Sequence, residues 1–230
     1  MVDIGIIGAM EIEVSSLSSM LEDRKIESFC GLEFNTGTVH GKKIAIVKCG
    51  IGKVFASMAA SAMIARYSPR LIVNTGVGGA LVKGISPLDT VIAEKLVQHD
   101  MDTSALGDPK GLVSGINKVY FESDARASEI LLRSAEKNSI RARLGIIASG
   151  DKFIADSKEK ERIVADFSAD VCEMEGAAIA QAAFVSGTPF AVVRAISDGA
   201  DGNSPMDFPT FLSIAVKSSE SLTLALVEAF

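Results

Sequence analysis

Short apolar runs alternate along the chain with longer segments in which apolar residues recur every three or four positions. Runs rich in β-branched residues predict buried strands, because a strand covered on both faces is apolar at successive positions. The predicted strands are Asp3–Ile7, Ile44–Lys48, Leu71–Asn74, Thr90–Ala93, Leu144–Ala148 and Phe190–Ile196. The three- and four-residue spacing predicts helices with one apolar face over Lys53–Tyr67, Ser123–Asn138 and Phe208–Phe230. This alternation indicates an α/β fold with a parallel or mixed sheet.

One segment departs from both patterns. Residues Gln98–Asn117 are polar and Gly-rich and have no clear period. Long irregular segments in compact domains are often functional or interfacial. A plain surface loop is an equally good interpretation of this segment, and the sequence leaves both open.

Composition narrows the class of protein. The 230 residues carry a net charge of −6 and are 48% hydrophobic, which favours a single domain over residues 1–230 and argues against a nucleic-acid partner. No apolar stretch approaches the ~18 residues of a membrane span, and the first residues lack the features of a secretory signal. Cys30, Cys49 and Cys172 are odd in number and widely separated, as expected for a cytoplasmic protein.

The sequence lacks the residues that several familiar binding and catalytic motifs require. The sequence GIGKV at Gly50–Val54 has neither the first glycine nor the hydroxyl residue of a phosphate-binding P-loop. The turn after the first strand has two glycines rather than the three of a dinucleotide fingerprint. Only His40 and His99 are present, so a metal cluster or a His-based nucleophile pair has few candidates. We interpret His99 as a structural histidine with its hydrogen bonds satisfied.

Carboxylates at strand ends are the remaining candidates. Glu13 lies just beyond the first predicted strand, Asp198 follows the last, and Glu173 and Glu175 flank Met174 at the start of a further predicted helix. Ligands of open α/β sheets bind outside the carboxyl ends of strands. Each acid alone has a structural interpretation, as a helix N-terminal charge, a cap or a turn residue. Because residues two apart on a helix point to different sides, the two glutamates should differ in role.

Six ordered blocks carry a resemblance over essentially the whole chain. They are GIIGAMEIEV (5–14), CGIGKVFA (49–56), NTGVGGAL (74–81), SGDKFI (149–154), CEMEGAAIA (172–180) and VVRAISDGAD (193–202). The sequence resembles the purine nucleoside phosphorylase-like family, in particular its 5′-methylthioadenosine/S-adenosylhomocysteine nucleosidases. The resemblance implies a three-layer α/β/α fold with a central mixed sheet, a homodimer, and cofactor-free hydrolysis that releases adenine in methionine salvage. It adds 5′-deoxyadenosine as a further candidate substrate.

The resemblance also implies roles for single residues. Glu13 matches the base that activates water, Asp198 the acid that protonates the imidazole-ring nitrogen of adenine, and Glu175 the residue that holds the ribose hydroxyls. The other substrate-binding positions that it implies are Met174, Phe153, Ile154, Ile51, Met10, Phe208 and Gly79. Among these, Phe153 would stack on adenine and the Ile154 backbone would bind the edge of the base.

The chemistry explains why these residue types are needed. Breaking an N-glycosidic bond builds positive charge on the sugar and negative charge on the departing base, so one carboxyl group must be protonated and another ionised. Asp198 follows an apolar strand, where partial burial would keep it protonated. Glu13 lies after Gly8, where backbone donors would keep it ionised.

The sequence departs from the family pattern at a few positions. Val77 stands where a hydroxyl residue commonly supports the acid, so support for Asp198 is expected from Ser197 or from the backbone. In the segment that lends residues to the neighbouring subunit, Leu106 and Asp108 replace frequent aromatic residues. These replacements bear on the 5′ substituent that the pocket accepts.

Three alternatives to this nucleosidase follow from the same residues. Arg194 would hold phosphate in a phosphorylase, although we favour an ion pair with a structural acid such as Glu173. A hydrolase of other modified nucleosides would share the fold. A non-catalytic adenosine-binding module would not need Glu13 and Asp198 together.

Overall fold

The computed structural model describes residues 1–198 and 208–230, and for residues 208–211 only the backbone. Its strands are β1 Ile4–Gly8, β2 Glu22–Phe29, β3 Leu32–Val39, β4 Lys42–Lys48, β5 Leu71–Ala80, β6 Thr90–Gln98, β7 Tyr120–Glu122, β8 Ala142–Ser149, β9 Val171–Glu173 and β10 Phe190–Asp198. Its helices are α1 Glu11–Ser19, α2 Lys53–Tyr67, α3 Ala125–Lys137, α4 Ser157–Phe167, α5 Gly176–Val185 and α6 Phe208–Ala229, with a 3₁₀ turn at Ser104–Leu106.

These strands form one mixed sheet. β1 lies parallel to β4 on one side and to β5 on the other, and β5 lies parallel to β10. β10 then pairs with β6, β6 with β8, β8 with β9, and β9 returns to β5, so this half of the sheet closes into a ring of strands. The parallel strands β1, β5 and β10 therefore end at the same edge.

Helices cover both faces of the sheet. On one face the small residues of α2, such as Ala56 and Ala60, pack with those of α5, such as Ala177 and Ala180, in a common core. On the other face α1, α3 and α6 contribute a second aliphatic core that includes Leu131. Burying these aliphatic side chains stabilises the layers by roughly 25 cal/mol per Å² of apolar surface. The predicted three-layer α/β/α architecture is confirmed.

The predicted elements are present, with some ends displaced. The helix Lys53–Tyr67 has the predicted bounds, whereas β5 extends to Ala80 and β10 to Asp198, further toward the site. The prediction missed β2 and β3, because the polar sequence EDRKIESF of β2 lies exposed on the sheet edge and has no apolar face to signal a strand. It also missed α1, α4 and the short strands β7 and β9.

The Gln98–Asn117 segment is irregular as predicted, apart from Gln98 at the end of β6, the 3₁₀ turn and an isolated bridge between Val113 and Lys118. Within the described residues, no helix is long and apolar enough to cross a membrane.

Candidate active site

A cavity of about 240 Å³ lies where β1, β5 and β10 end. All predicted site residues apart from Phe208 line it: Glu13, Asp198, Glu175, Met174, Phe153, Ile154, Ile51, Met10 and Gly79. The side chain of Phe208 lies outside the described residues. The fold therefore brings Glu13 and Asp198, which lie 185 positions apart in the sequence, to one cavity.

Glu13 is held in the first turn of α1 by backbone donors. Its Oε2 accepts hydrogen bonds from the N–H groups of Ala9 at 2.7 Å and Met10 at 2.9 Å, and its Oε1 accepts one from Val77 at 3.3 Å. The predicted donors after Gly8 are thus present. Burial raises the pKa of Glu13, while the Arg194 guanidinium and these N–H groups act in the opposite direction. A fixed carboxylate with a raised pKa is suited to accept a proton.

Asp198 is the last residue of β10, and its side chain is buried as predicted. The Ser197 hydroxyl donates to Asp198 Oδ1 at 2.9 Å, and Lys160 Nζ lies 3.6 Å from Asp198 Oδ2. Ser197 thus supplies the hydroxyl support that Val77 does not. Gly79 is the register partner of Asp198, and a β-carbon at Gly79 would lie 2.9 Å from Oδ2.

Glu175 is the N-cap residue of α5, and its side chain reaches across to the start of α2 rather than capping its own helix. Its Oε1 accepts the Gly52 N–H at 2.9 Å. Burial, together with the nearby Glu173 carboxylate, raises the pKa of Glu175 to about 7. The carboxyl group therefore changes protonation state close to neutral pH.

Glu173 has a different position and different partners. It ends strand β9 and does not begin the helix, so its interpretation as one of a first-turn pair with Glu175 is wrong. The two glutamates do differ in role, as predicted. Glu173 Oε2 accepts the N–H groups of Glu175 at 3.1 Å and Gly176 at 2.8 Å, which satisfies donors in the first turn of α5.

Arg194 is fully buried beneath the cavity and does not line it. Its Nε donates to Glu173 Oε2 at 3.1 Å, and its terminal nitrogens donate to Glu173, Asn74 and the Val193 carbonyl. The predicted ion pair with Glu173 is confirmed. Because these donors face protein acceptors, they are directed away from any phosphate in the cavity.

The rest of the cavity is mostly apolar. Ile154 is buried, whereas Phe153 is 61% exposed and Ile51 57% exposed. Met10 and Met174 are partly buried. Exposed apolar side chains at a cavity mouth leave surface for a ligand to cover.

Two further buried side chains, Cys172 and His99, have no role in the predicted chemistry. Cys172 lines the cavity, and burial raises the pKa of this thiol to about 12, so it is a neutral wall residue. His99 is buried against Gly150, and neither ring nitrogen has a hydrogen-bond partner in the described part of the chain. His99 is thus buried as a structural residue is expected to be, but the described part of the chain supplies no hydrogen-bond partner for its ring. Across residues 1–198 and 208–230, no group of three His, Cys, Asp or Glu side chains could hold a metal ion.

A mixed sheet between helical layers, with acids converging at its strand ends, defines the class of nucleoside phosphorylase-like proteins. The chain belongs to the phosphorylase superfamily, whose family model matches residues 3–228. Within it, the chain falls among the 5′-methylthioadenosine/S-adenosylhomocysteine nucleosidases. One such protein, from Haemophilus influenzae, is 38% identical over 226 residues, which cover 98% of each chain.

Solved structures agree closely with this fold. The Neisseria meningitidis 5′-methylthioadenosine/S-adenosylhomocysteine nucleosidase in complex with methylthio-immucillin-A has a TM-score of 0.95 and 34% identity, and all of each chain is covered. Futalosine hydrolase of Helicobacter pylori has a TM-score of 0.94 and 33% identity, covering 99% of this chain and 98% of that one.

Proposed function

We propose that this chain is an N-glycosyl hydrolase that cleaves 5′-methylthioadenosine and S-adenosylhomocysteine, with water as the acceptor and adenine as a product. 5′-Deoxyadenosine is a further candidate substrate. The observation that carries the proposal is the convergence of Glu13 and Asp198, from opposite ends of the sequence, on one largely apolar cavity that Glu175 also lines. The names of the similar proteins support the same substrate class.

In the proposed reaction Asp198, in its protonated form, donates to the imidazole-ring nitrogen of adenine. The bond between that base and the ribose breaks, and positive charge develops on the sugar. Glu13 takes a proton from a water molecule as the hydroxide adds to the sugar carbon. One water is consumed, adenine leaves with the proton from Asp198, and proton exchange with solvent restores both carboxyl groups.

Glu175 would hold the ribose hydroxyls and so position the sugar. Its negative charge would also stabilise the positive charge that develops on the sugar as the bond breaks. Phe153 would stack on the adenine ring and the Ile154 backbone would bind the base edge. Met10, Ile51, Met174 and Gly79 would surround the ribose and its apolar thioether, together with Phe208 as the resemblance implies. Apolar and sulfur-containing walls suit a thioether better than charged ones do.

One assay tests the proposed function. The purified chain is incubated with methylthioadenosine in phosphate-free buffer, and free adenine is followed. Hydrolysis predicts full turnover without phosphate, whereas a phosphorylase would depend on added phosphate. The saturation of Arg194 by Glu173, Asn74 and Val193 supports hydrolysis. A non-catalytic adenosine-binding module would release no adenine in either buffer.

A hydrolase of another modified nucleoside is the second candidate. It is favoured by the close likeness to futalosine hydrolase of Helicobacter pylori and by the exposed Ile51 and Phe153 at the cavity mouth. Relative kcat/KM values for methylthioadenosine, S-adenosylhomocysteine and futalosine would rank the two functions.

We also propose that the chain forms a homodimer through the groove between α2 and α5. Val54, Met58 and Val185 are exposed there beside Ala178 and Ala182, with Ser57, Ser61 and Gln181 at the polar positions. A self-complementary apolar patch is what a two-fold interface requires. Leu106, 84% exposed in the 3₁₀ turn, is available to a neighbouring subunit. Sedimentation of Met58→Glu beside the unchanged protein tests this, with a monomer expected for the variant.

A cytoplasmic location is proposed on separate grounds. The three cysteines are free, and two of them are buried. A reducing compartment keeps such thiols unpaired. The place of the reaction in methionine salvage follows from the proposed substrates and is tested with them.

A further inference from the structure

Three charged residues form a closed set of hydrogen bonds beside the cavity. The Lys53 N–H donates to Asp151 Oδ1 at 2.7 Å, and the Asp151 N–H donates to Asp100 Oδ2 at 2.9 Å. The Lys53 ammonium completes the set with an ion pair to Asp100 Oδ1 at 2.5 Å. We call Lys53, Asp100 and Asp151 the triangle. Each corner donates to or accepts from both others, and two of the three links use a main-chain N–H.

The triangle joins two segments that both contribute residues to the cavity wall. Lys53 begins α2 directly after Gly52, whose N–H supports Glu175, and two residues after Ile51. Asp151 precedes Lys152 and Phe153, which line the cavity. Asp100 belongs to neither segment and links them from the end of β6. The lip residues Ile51 and Phe153 are themselves exposed, so packing alone does not fix them.

The charges of the triangle favour a stable ion pair between Lys53 and Asp100. Burial alone would raise the pKa of Asp100, but the Lys53 ammonium and the Asp151 N–H outweigh it and lower this pKa. The Lys53 side chain is 17% exposed and the Asp100 side chain 31% exposed, so the ion pair is partly shielded from water. Lys53 Nζ also donates to Gln98 Oε1 at 3.1 Å, which fixes the end of its side chain.

We propose that Lys53, Asp100 and Asp151 are positioning residues that hold Ile51 and Phe153 at a fixed separation at the mouth of the cavity. The proposal rests on the proposed function, because it assigns these residues to substrate affinity at the same cavity. None of the three lines the space between Glu13 and Asp198. Breaking the triangle should therefore weaken substrate binding while the chemical step is retained.

The test compares KM and kcat for methylthioadenosine in Asp151→Ala, Lys53→Met and the double variant. Asp151→Asn is the conservative variant, because its amide oxygen still accepts the Lys53 N–H. Glu129→Gln is the matched control, since Glu129 is an exposed acid paired with Arg133 on α3. Thermal unfolding and sedimentation of each variant report folding and the oligomeric state.

Each single loss should raise KM by roughly tenfold to a hundredfold, the range for hydrogen bonds to charged groups, with kcat within about twofold. The double variant should be worse than either single variant, because Asp151→Ala leaves the connection through Asp100, Lys53→Met leaves the Lys53 N–H bond to Asp151, and the double variant removes both. Asp151→Asn should recover most of the affinity, and Glu129→Gln should match the unchanged protein.

Three results would overturn the proposal: an unchanged KM in folded variants, a parallel fall of kcat with thermal stability, or a double variant no worse than the poorer single variant. If the alanine variant does not fold, Asp151→Asn still tests the proposal. A folded Asp151→Asn variant whose KM for methylthioadenosine is raised as far as the loss of the hydrogen bond predicts would contradict it, because its amide oxygen still accepts the Lys53 N–H. If the unchanged protein releases no adenine, the proposed function fails instead, and the two failures are distinguished.

Discussion

Glu13 occupies space that Gly76 leaves empty. A β-carbon on Gly76 would lie 2.6 Å from Glu13 Oε1, closer than real β-carbons approach an oxygen. Gly76 precedes Val77, whose N–H donates to the same oxygen. The backbone of β5 at Gly76 and Val77 and the position of the proposed base are therefore set together.

Gly76→Ala should displace the Glu13 carboxylate and lower kcat by roughly 10²-fold or more, as expected when a general base is misplaced. The measurement is adenine release by protein with an unchanged circular dichroism spectrum. Gly5→Ala is the control, because its β-carbon would meet only the flexible Met63 side chain at 3.0 Å. Equal loss in both variants would mean that the effect is general destabilisation.

Glu13→Gln should lower kcat by roughly 10²- to 10⁴-fold, the contribution typical of a general base, because an amide cannot take the proton of water. Glu11→Gln removes a neighbouring acid that is 70% exposed and pairs with Lys48 at the surface, and it should leave kcat unchanged. Rates close to those of the unchanged protein in Glu13→Gln would assign the base elsewhere.

Asp198→Asn should abolish adenine release while binding of a substrate analogue persists, since the amide has no acidic proton to give. Ser197→Ala should have a smaller effect, because it removes only the 2.9 Å hydrogen bond to Asp198 Oδ1. Isothermal titration with an inert analogue, beside the turnover assay, separates binding from chemistry. Turnover by Asp198→Asn at near-normal rates would remove Asp198 from the mechanism.

Glu175 should make both stability and substrate affinity depend on pH near neutrality. The pKa of this acid is raised from 4.5 to about 7 in the folded chain. Its contribution to folding is therefore fully present below pH 4.5 and is lost as the pH rises through about 7.

Substrate affinity should change in the opposite direction, because the ionised form of Glu175 is the one that holds the ribose hydroxyls. KM for methylthioadenosine should fall as the pH rises through about 7. Chemical unfolding and KM measured across that range test both signs. In Glu175→Gln, neither the free energy of unfolding nor KM should change with pH through this range. If either dependence persists, a group other than Glu175 titrates there.

Arg194→Met should destabilise the fold by about 3–5 kcal/mol, the usual cost of leaving a buried carboxylate without its partner. Its side chain is 1% exposed and that of Glu173 is 2% exposed. The double variant Arg194→Met with Glu173→Gln should recover part of this loss, since no unpaired charge remains. Urea unfolding of the unchanged protein, the two single variants and the double variant measures it, and purely additive losses would argue against a coupled pair.

Part of the candidate site was predictable because two of its acids follow recognisable strands. Glu13 and Asp198 each lie within a few residues of a strongly apolar run, and the Arg194 pair with Glu173 was expected from the need to neutralise a buried cation. The role of Ser197 was one of two stated options. The exposure of Phe153 and Ile51 could not be predicted, because the pattern of hydrophobic and polar residues does not distinguish an exposed apolar side chain from a buried one.

Other features depend on contacts that sequence spacing does not encode. The triangle joins Lys53 to a residue 47 positions away and to another 98 positions away, and all three are charged residues that would suit any surface. The His99 ring lies against Gly150 only because β6 and β8 run side by side. Glu173 was assigned to a helix because the three-residue strand β9 is too short to show a period.

Closure of the strand ring has a consequence for self-association. Within the described residues, β2 is the one long strand with a single neighbour, and its residues Asp23, Arg24 and Lys25 are exposed. Charged side chains on an open edge discourage another chain from adding a strand there. Neutralising these positions would remove that protection and favour fibrous deposits, even in protein whose catalytic cavity is intact.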